Sequence, residues 1–228
     1  MLKTNEKGDM ITMSKYVIVD LEMCKVPRGF KKEEYHYGTE LIQIGAVLVD
    51  ENLEVTERFR TYVKPQYGMV DRFIQNLTGI TRKDTDSAPT TREALEMFVE
   101  WVPKDAVLVS WSDNDEKQVR KEVEAKNIEI TRLNELLDSW EDCQQTFAEK
   151  MNRDKHYNLT EALNLTGLDY EDGAHDALVD AYNTALLFVK MKKEPKLQLI
   201  SCYMMEEDDS TMYSPIADML KNFKFATC

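Results

Sequence analysis

Cysteine is scarce and scattered in this chain. Cys24, Cys143, Cys202 and Cys228 are the only four in 228 residues, and no two form a C-x-x-C pair. That excludes the ligand spacing of a zinc knuckle and of a thioredoxin-like redox site, and it offers no disulfide framework. No apolar run approaches the roughly 20 residues that span a bilayer. The opening stretch "MLKTNEKGDMITMSK" lacks the apolar centre of a secretory signal. The expected setting is therefore a reducing cytoplasm with no membrane partner. Positive charge is also short: 29 Lys and Arg face 42 Asp and Glu, for a net charge of −13 and a pI near 4.8. A protein that grips nucleic acid mainly through lysine and arginine is usually basic. A nucleic-acid partner would have to be held locally here, through bound metal.

What the chain does have is core material: 43% apolar residues, with three Trp, ten Tyr and eight Phe, enough for one large domain. Residues 1–14 read as a polar leader. A strand runs from Tyr16 to about Glu22, a long mixed-charge loop follows to residue 38, and "LIQIGAVLVD" (41–50) and "TERFRTYVKP" (56–65) read as two more strands. These three suggest an antiparallel meander. A short helix ending near Gly79, a helix over 90–102 stopped by Pro103, and a buried strand at 106–111 come next. The helix over 113–128 opens with Asp113 and Glu116 in capping-box spacing. A strand around 136–140, a helix after it, a short helix at 158–168 and a strong helix over 174–191 complete the pattern. A meander followed by strands alternating with helices implies an α/β fold, a mixed sheet flanked by helices. The tail carries an acidic run, Glu206 to Asp209, and a candidate terminal helix from Pro215. No internal repeat is present.

Carboxylates stand where apolar elements end. Asp20 and Glu22 close "YVIVDLE" two residues apart, so they share one face of the strand. Asp113 and Asp115 follow "LVSW". Asp180 sits within the apolar helix "AHDALVDAYNTALLFVK", clustered with Asn183 and Thr184, with Asp176 placed to cap the helix and His175 five residues upstream. An aspartate withdrawn from water in a largely apolar helix needs a partner or a cation, and Asp180 has no lysine or arginine nearby in sequence to serve it. Ends of strands and starts of helices are where α/β folds build ligand sites. Four carboxylates fit two divalent cations, Mg²⁺ or Mn²⁺, which are hard ions that prefer oxygen ligands. A pair of such ions clamps the attacking and leaving oxygens of a phosphodiester. A histidine, largely neutral at pH 7, can accept a proton from the attacking water.

The segments "DLE", "SWSDND" and "HDALVDAYNTA", in that order, with "LTGIT" at 77–81, resemble the motifs of the DnaQ-like 3′→5′ exonucleases of the DEDDh group, on the ribonuclease-H-like fold. The His-x-x-x-x-Asp spacing of His175 and Asp180 is that of this group. The sister group carries tyrosine four residues before the last aspartate, where this chain has Asp176. "DLE" and "SW" are most similar to the branch of KapD and the Eri-type RNA exonucleases. The resemblance covers residues 15–192 and leaves 1–14 as a leader and 193–228 as an extension with no assigned role. It implies that Asp20, Glu22, Asp115 and Asp180 hold the metals and that His175 is the general base. It favours Asp115 over Asp113, which has the helix cap as its own task. Ser112 departs from the branch, which often has glycine after the tryptophan.

The expected function is a metal-dependent 3′→5′ exonuclease that releases nucleoside 5′-monophosphates from single-stranded 3′ ends, RNA before DNA. Leu21 and Met23, flanking Glu22, are candidates to rest against the terminal base. Lys25, Arg28, Lys31 and Lys32 in the loop 24–38 are the candidate basic contacts. The alternatives are a DNA-proofreading or repair exonuclease and an inactive nucleic-acid-binding scaffold.

Overall fold

The computed structural model describes residues 2–4, 10–12, 14–29, 34–153, 155–170 and 175–199. Lys31, Lys32, the acidic run and the segment from Pro215 lie outside these residues. Within the segment read as a leader, Leu2–Thr4 (β1) and Met10–Thr12 (β2) pair antiparallel.

Three strands form the expected meander: Lys15–Lys25 (β3), Thr39–Val49 (β4) and Val55–Tyr62 (β5). Helices Arg72–Thr78 (α1) and Arg82–Asp86 (α2) follow. Gly79, in the left-handed region at φ 74°, ends the first helix, and a Thr81–Asp84 capping box starts the second. Thr91–Trp101 (α3) precedes Ala106–Ser110 (β6) and Asn114–Ala125 (α4). Next come Thr131–Leu137 (α5), Glu141–Asp142 (β7), Cys143–Lys150 (α6), Leu159–Thr166 (α7) and Ala177–Lys193 (α8). The sheet order is β5-β4-β3-β6-β7. β3 pairs antiparallel with β4 and parallel with β6, so the sheet is mixed as expected.

Two sequence expectations need correction. The segment around 136–140 is not a strand: Leu133, Leu136 and Leu137, buried at helical spacing, draw Leu136 and Leu137 into the end of α5, a turn follows at 138–139, and only Glu141–Asp142 join the sheet. Asp113 does not cap α4 through its side chain. Its backbone is already helical (φ −69°, ψ −4°), no cap bond forms, and its exposed carboxylate pairs with Lys117 at 2.5 Å.

Alternation along β3 sorts the core into two layers. Val17, Val19 and Leu21 pack towards α3, α4 and α5 with Leu95, Phe98, Val119 and Leu133. Ile18 packs towards α6, α7 and α8 with Phe147, Leu163, Leu187 and Phe188. Asp20 and Glu22 continue the Ile18 face towards α8. On the other side, α4 is fixed to β4 by a buried ion cluster. Lys126 Nζ lies 2.5 Å from Glu40 and 2.7 Å from Glu122, both fully buried, and Glu122 also accepts the backbone N–H of Leu41 at 2.7 Å. Losing one member would strand a charge, which costs about 3 to 5 kcal/mol, so the helix that carries Asp115 is held firmly. Among the described residues no helix is long and apolar enough to cross a membrane.

Candidate active site

The site sits at the C-terminal end of β3, the central strand. Asp20 lies across from Gly45 on β4, and Glu22 across from Gln43, with a bulge between Glu22 and Met23. Bulges re-aim side chains at such points. Asp115, buried in the first turn of α4, accepts the backbone N–H of Leu21 at 3.1 Å, so its carboxylate is brought to the link between Asp20 and Glu22. α8 delivers Asp180 from its first turn.

His175 adopts φ 68°, a left-handed conformation that is uncommon outside glycine. Its backbone N–H donates to Asp180 Oδ2 at 3.0 Å, which ties the kink to the aspartate five residues on. Asp176 then caps the helix as the sequence implied, accepting from Leu178 at 2.9 Å and Val179 at 3.4 Å. As a result one ligand atom from each of Glu22, His175 and Asp180 falls within 4.8 Å of the others. Asp20, His175 and Asp180 together line a cleft of about 270 Å³, shared with Trp111, Tyr170 and the start of α7.

Electrostatics set this cluster apart from an ordinary acidic surface. The Asp20 carboxyl is pushed well above the usual range by withdrawal from water and then by Asp115, Asp180 and Glu22. Burial first, then Asp180 and Asp115, raise Glu22 to about 8. Burial raises Asp115 to about 7, against the opposing pull of the Leu21 N–H. Burial raises Asp180 to about 6, opposed by the His175 N–H. All four carboxyls therefore hold their protons to higher pH than a carboxyl in water does, chiefly because they are withdrawn from it. Carboxylate oxygens with one imidazole nitrogen suit a hard divalent cation, and such a cation would remove the strain on all four.

Asp113 stays outside the cluster, exposed and paired with Lys117. Leu21 is 5% exposed and belongs to the opposite core layer, while Met23 is partly buried against that same layer. Lys25 and Arg28 are exposed, and Lys25 Nζ lies 4.6 Å from the centre of the Phe73 ring.

Some contributors were not anticipated. Gly45 and Gln43 belong to the apolar run read only as a strand. A Cβ at Gly45 would overlap the Ala177–Leu178 peptide, so glycine is what lets the start of α8 settle over Asp20. A lone glycine within a strand signals this kind of close backbone approach. Met69, Phe73 and Leu77 form exposed apolar surface, 43%, 59% and 39% open. Met69 bridges Lys25, which places this surface beyond the Glu22 end of β3.

A family model described as Exonuclease (RNase_T) matches residues 17–188. The chain is 31% identical over 193 residues to the DNA polymerase III subunit epsilon of Aquifex aeolicus (strain VF5), covering 84% of this chain and 87% of that protein. It is 28% identical over 202 residues to human ERI1 exoribonuclease 2, covering 78% of this chain and 28% of that protein. The chain thus spans most of the bacterial relative and less than a third of the human one. Among solved structures, the nuclease domain of 3′hExo, a DEDDh family member bound to rAMP, superposes with a TM-score of 0.69 at 22% identity, over 83% of this chain and 97% of that one. That likeness confirms the fold as ribonuclease-H-like.

Proposed function

The chain belongs to the exonuclease family, and from that premise we propose that it removes nucleoside 5′-monophosphates from single-stranded 3′ ends, RNA in preference to DNA. The observation that carries this reading is the meeting of Glu22, His175 and Asp180 within 4.8 Å, beside an Asp20 whose charge its neighbours resist. The family is divalent-metal dependent. Asp20, Glu22, Asp115 and Asp180 are proposed to hold two ions, Mg²⁺ or Mn²⁺, within a domain spanning residues 15–192. The bound ions would supply the positive charge that the carboxylates lack and would polarise the phosphate and the attacking water. His175, exposed at the cleft mouth, accepts the proton of that water as its oxygen bonds to phosphorus and the bond to the 3′-oxygen breaks. Asp180 holds the backbone of His175 in register for this transfer.

Substrate class follows from the surroundings. Met69, Phe73 and Leu77 offer an apolar platform on which the bases of an unpaired strand can rest. Of the two residues flanking Glu22, Met23 is proposed to meet the terminal base, because Leu21 is packed into the opposite core layer and turns only its backbone N–H to the site. A ribose 2′-hydroxyl can both donate and accept a hydrogen bond near Glu22 and the adjacent backbone. A net charge of −13 opposes a sequence-independent grip on the two phosphate backbones of a duplex. A DNA-directed reading is favoured by one specific observation, the 31% identity to a polymerase epsilon subunit. Initial rates on matched single-stranded RNA, single-stranded DNA and 3′-recessed duplex, with Mg²⁺, Mn²⁺ or EDTA, decide between them. The expected order is RNA at or above DNA, with duplex resistant and EDTA abolishing all cleavage. A clear DNA preference, or efficient digestion of duplex, would transfer the assignment to DNA processing.

The second-motif aspartates give a sharper test of the ligand set. Asp115→Asn is expected to remove activity, because this buried carboxylate sits against the Leu21 backbone between the two acids of β3. Asp113→Asn should leave turnover within about twofold and shift stability by less than about 0.5 kcal/mol, since it loses only an exposed i,i+4 ion pair. The reverse pattern in the rate assay would exchange the two roles.

A further inference from the structure

Gln43 is fully buried in the middle of an apolar strand, cross-strand from Glu22. A buried amide there needs partners for both its ends, and it finds both at the start of α8. Its Oε1 accepts the backbone N–H of Ala177 at 3.0 Å, the first residue of the helix. Its Nε2 donates to Asp176 Oδ2 at 3.4 Å. The other oxygen of Asp176 caps the helix. Arg60, paired with Gly45 on the neighbouring strand, reaches the same Asp176 Oδ2 at 3.4 Å from the solvent side. Gly45 meanwhile removes the side chain that would hold α8 away from the sheet.

These contacts all converge on the two residues after His175. His175 is in turn kinked into the left-handed region and bonded to Asp180. From this geometry we infer that Gln43 is a positioning residue of the hydrolytic centre: by gripping Ala177 and Asp176 it sets His175 and Asp180 at their separation from Glu22, and Arg60 steadies the same grip. A methionine at 43 would fill the space but could neither accept nor donate. A glutamate could accept from Ala177 but would oppose Asp176. Only a side chain with an acceptor and a donor on one rigid plane serves both contacts. Because catalytic geometry tolerates little error, a displacement of about 1 Å can cost about 10²-fold in rate.

The inference rests on reading this cluster as a hydrolytic centre, and the test separates the two. In full-length protein, Gln43→Met is compared with wild type by kinetics on single-stranded RNA, by Mg²⁺ affinity from calorimetry, and by ¹⁵N imidazole spectra of His175 in metal-free protein. The spectra need neither substrate nor metal, so they report on positioning even if the hydrolytic reading fails. The expected result is a kcat lowered by about 10- to 100-fold, a KM within about threefold, and His175 ring resonances that shift or split. Arg60→Met, which alters only an exposed contact, should move the same resonances in the same direction with a kcat loss of a few-fold, and it decides the matter if Gln43→Met does not fold. Unchanged His175 resonances in the folded variant, or a loss of rate that vanishes when the assay is cooled well below the melting point, would reduce Gln43 to a core-packing residue and overturn the inference.

Discussion

Asp20→Asn should abolish phosphodiester hydrolysis and at the same time raise the melting temperature of the metal-free protein. The two effects share one cause. The Asp20 carboxyl is withdrawn from water and faces Asp115, Asp180 and Glu22, so its negative charge is tolerated only when a cation offsets it. Asparagine keeps the shape, removes the charge and cannot replace a carboxylate as a ligand to a hard cation. Asp180→Asn should behave likewise. The pH dependence follows with a definite sign. In the unfolded chain these carboxyls release their protons near pH 4, whereas in the folded chain Asp180, Asp115 and Glu22 hold theirs up to about 6, 7 and 8. Between those limits the folded state binds more protons than the unfolded state, so stability falls as pH rises from about 4 to 8. Metal-free wild type should therefore melt several degrees lower at pH 8 than at pH 5, since about 1 kcal/mol moves a domain of this size by roughly 2 to 4 °C. Added Mg²⁺ should recover the loss at pH 8, and Asp20→Asn should flatten the slope. Retained hydrolysis in either variant, or a metal-free melt indifferent to pH, would mean that the carboxylates do not form the ligand set.

Much of this site could be read before the fold was known, for a physical reason. A charged residue at the end of an apolar element conflicts with burial, and such conflicts are visible one residue at a time: Asp20 and Glu22 after Tyr16–Val19, and Asp180 inside an apolar helix. The capping role of Asp176 was legible because a cap acts on the next few residues of its own chain. What could not be read depended on contacts remote in sequence. Asp113 looked like the cap of α4 by spacing, yet its carboxylate turned to Lys117 once its backbone entered the helix. Leu136, Leu137 and Trp140 give the segment 136–140 an apolar look that a short strand shares with a helix end, and the burial of Leu133, Leu136 and Leu137 in one core layer decides for the end of α5. Gln43 and Gly45 gave only the faint signal of a polar residue and a glycine in an apolar strand. Their purpose appears when α8, more than 130 residues later, lands on them.

His175→Ala should lower turnover by about 10² to 10⁴, the usual span of a general-base effect, while leaving affinity for divalent cations largely intact. The imidazole is exposed at the cleft mouth, and what fixes it is its own backbone: φ 68° and an N–H bonded to Asp180 Oδ2. Alanine keeps that N–H and so keeps Asp180 in place, which makes this substitution a clean removal of the ring. The alternative lies close by, because a ring nitrogen of His175 is within 4.8 Å of ligand atoms on Glu22 and Asp180 and is near enough to serve as a ligand itself. The two roles differ in what else is lost. A base contributes to the proton transfer and little to holding the cation, so calorimetric Mg²⁺ affinity should change by less than about threefold as kcat collapses. A ligand contributes to both, and losing even a residue that orients a ligand typically costs 10- to 100-fold in metal affinity or activity. A parallel fall of affinity and rate would assign His175 to the metal shell and leave the proton of the attacking water to another acceptor. A fall in rate alone, with the Asp180→Asn variant losing both, would fix the division of labour between the histidine and the aspartate that its backbone grips.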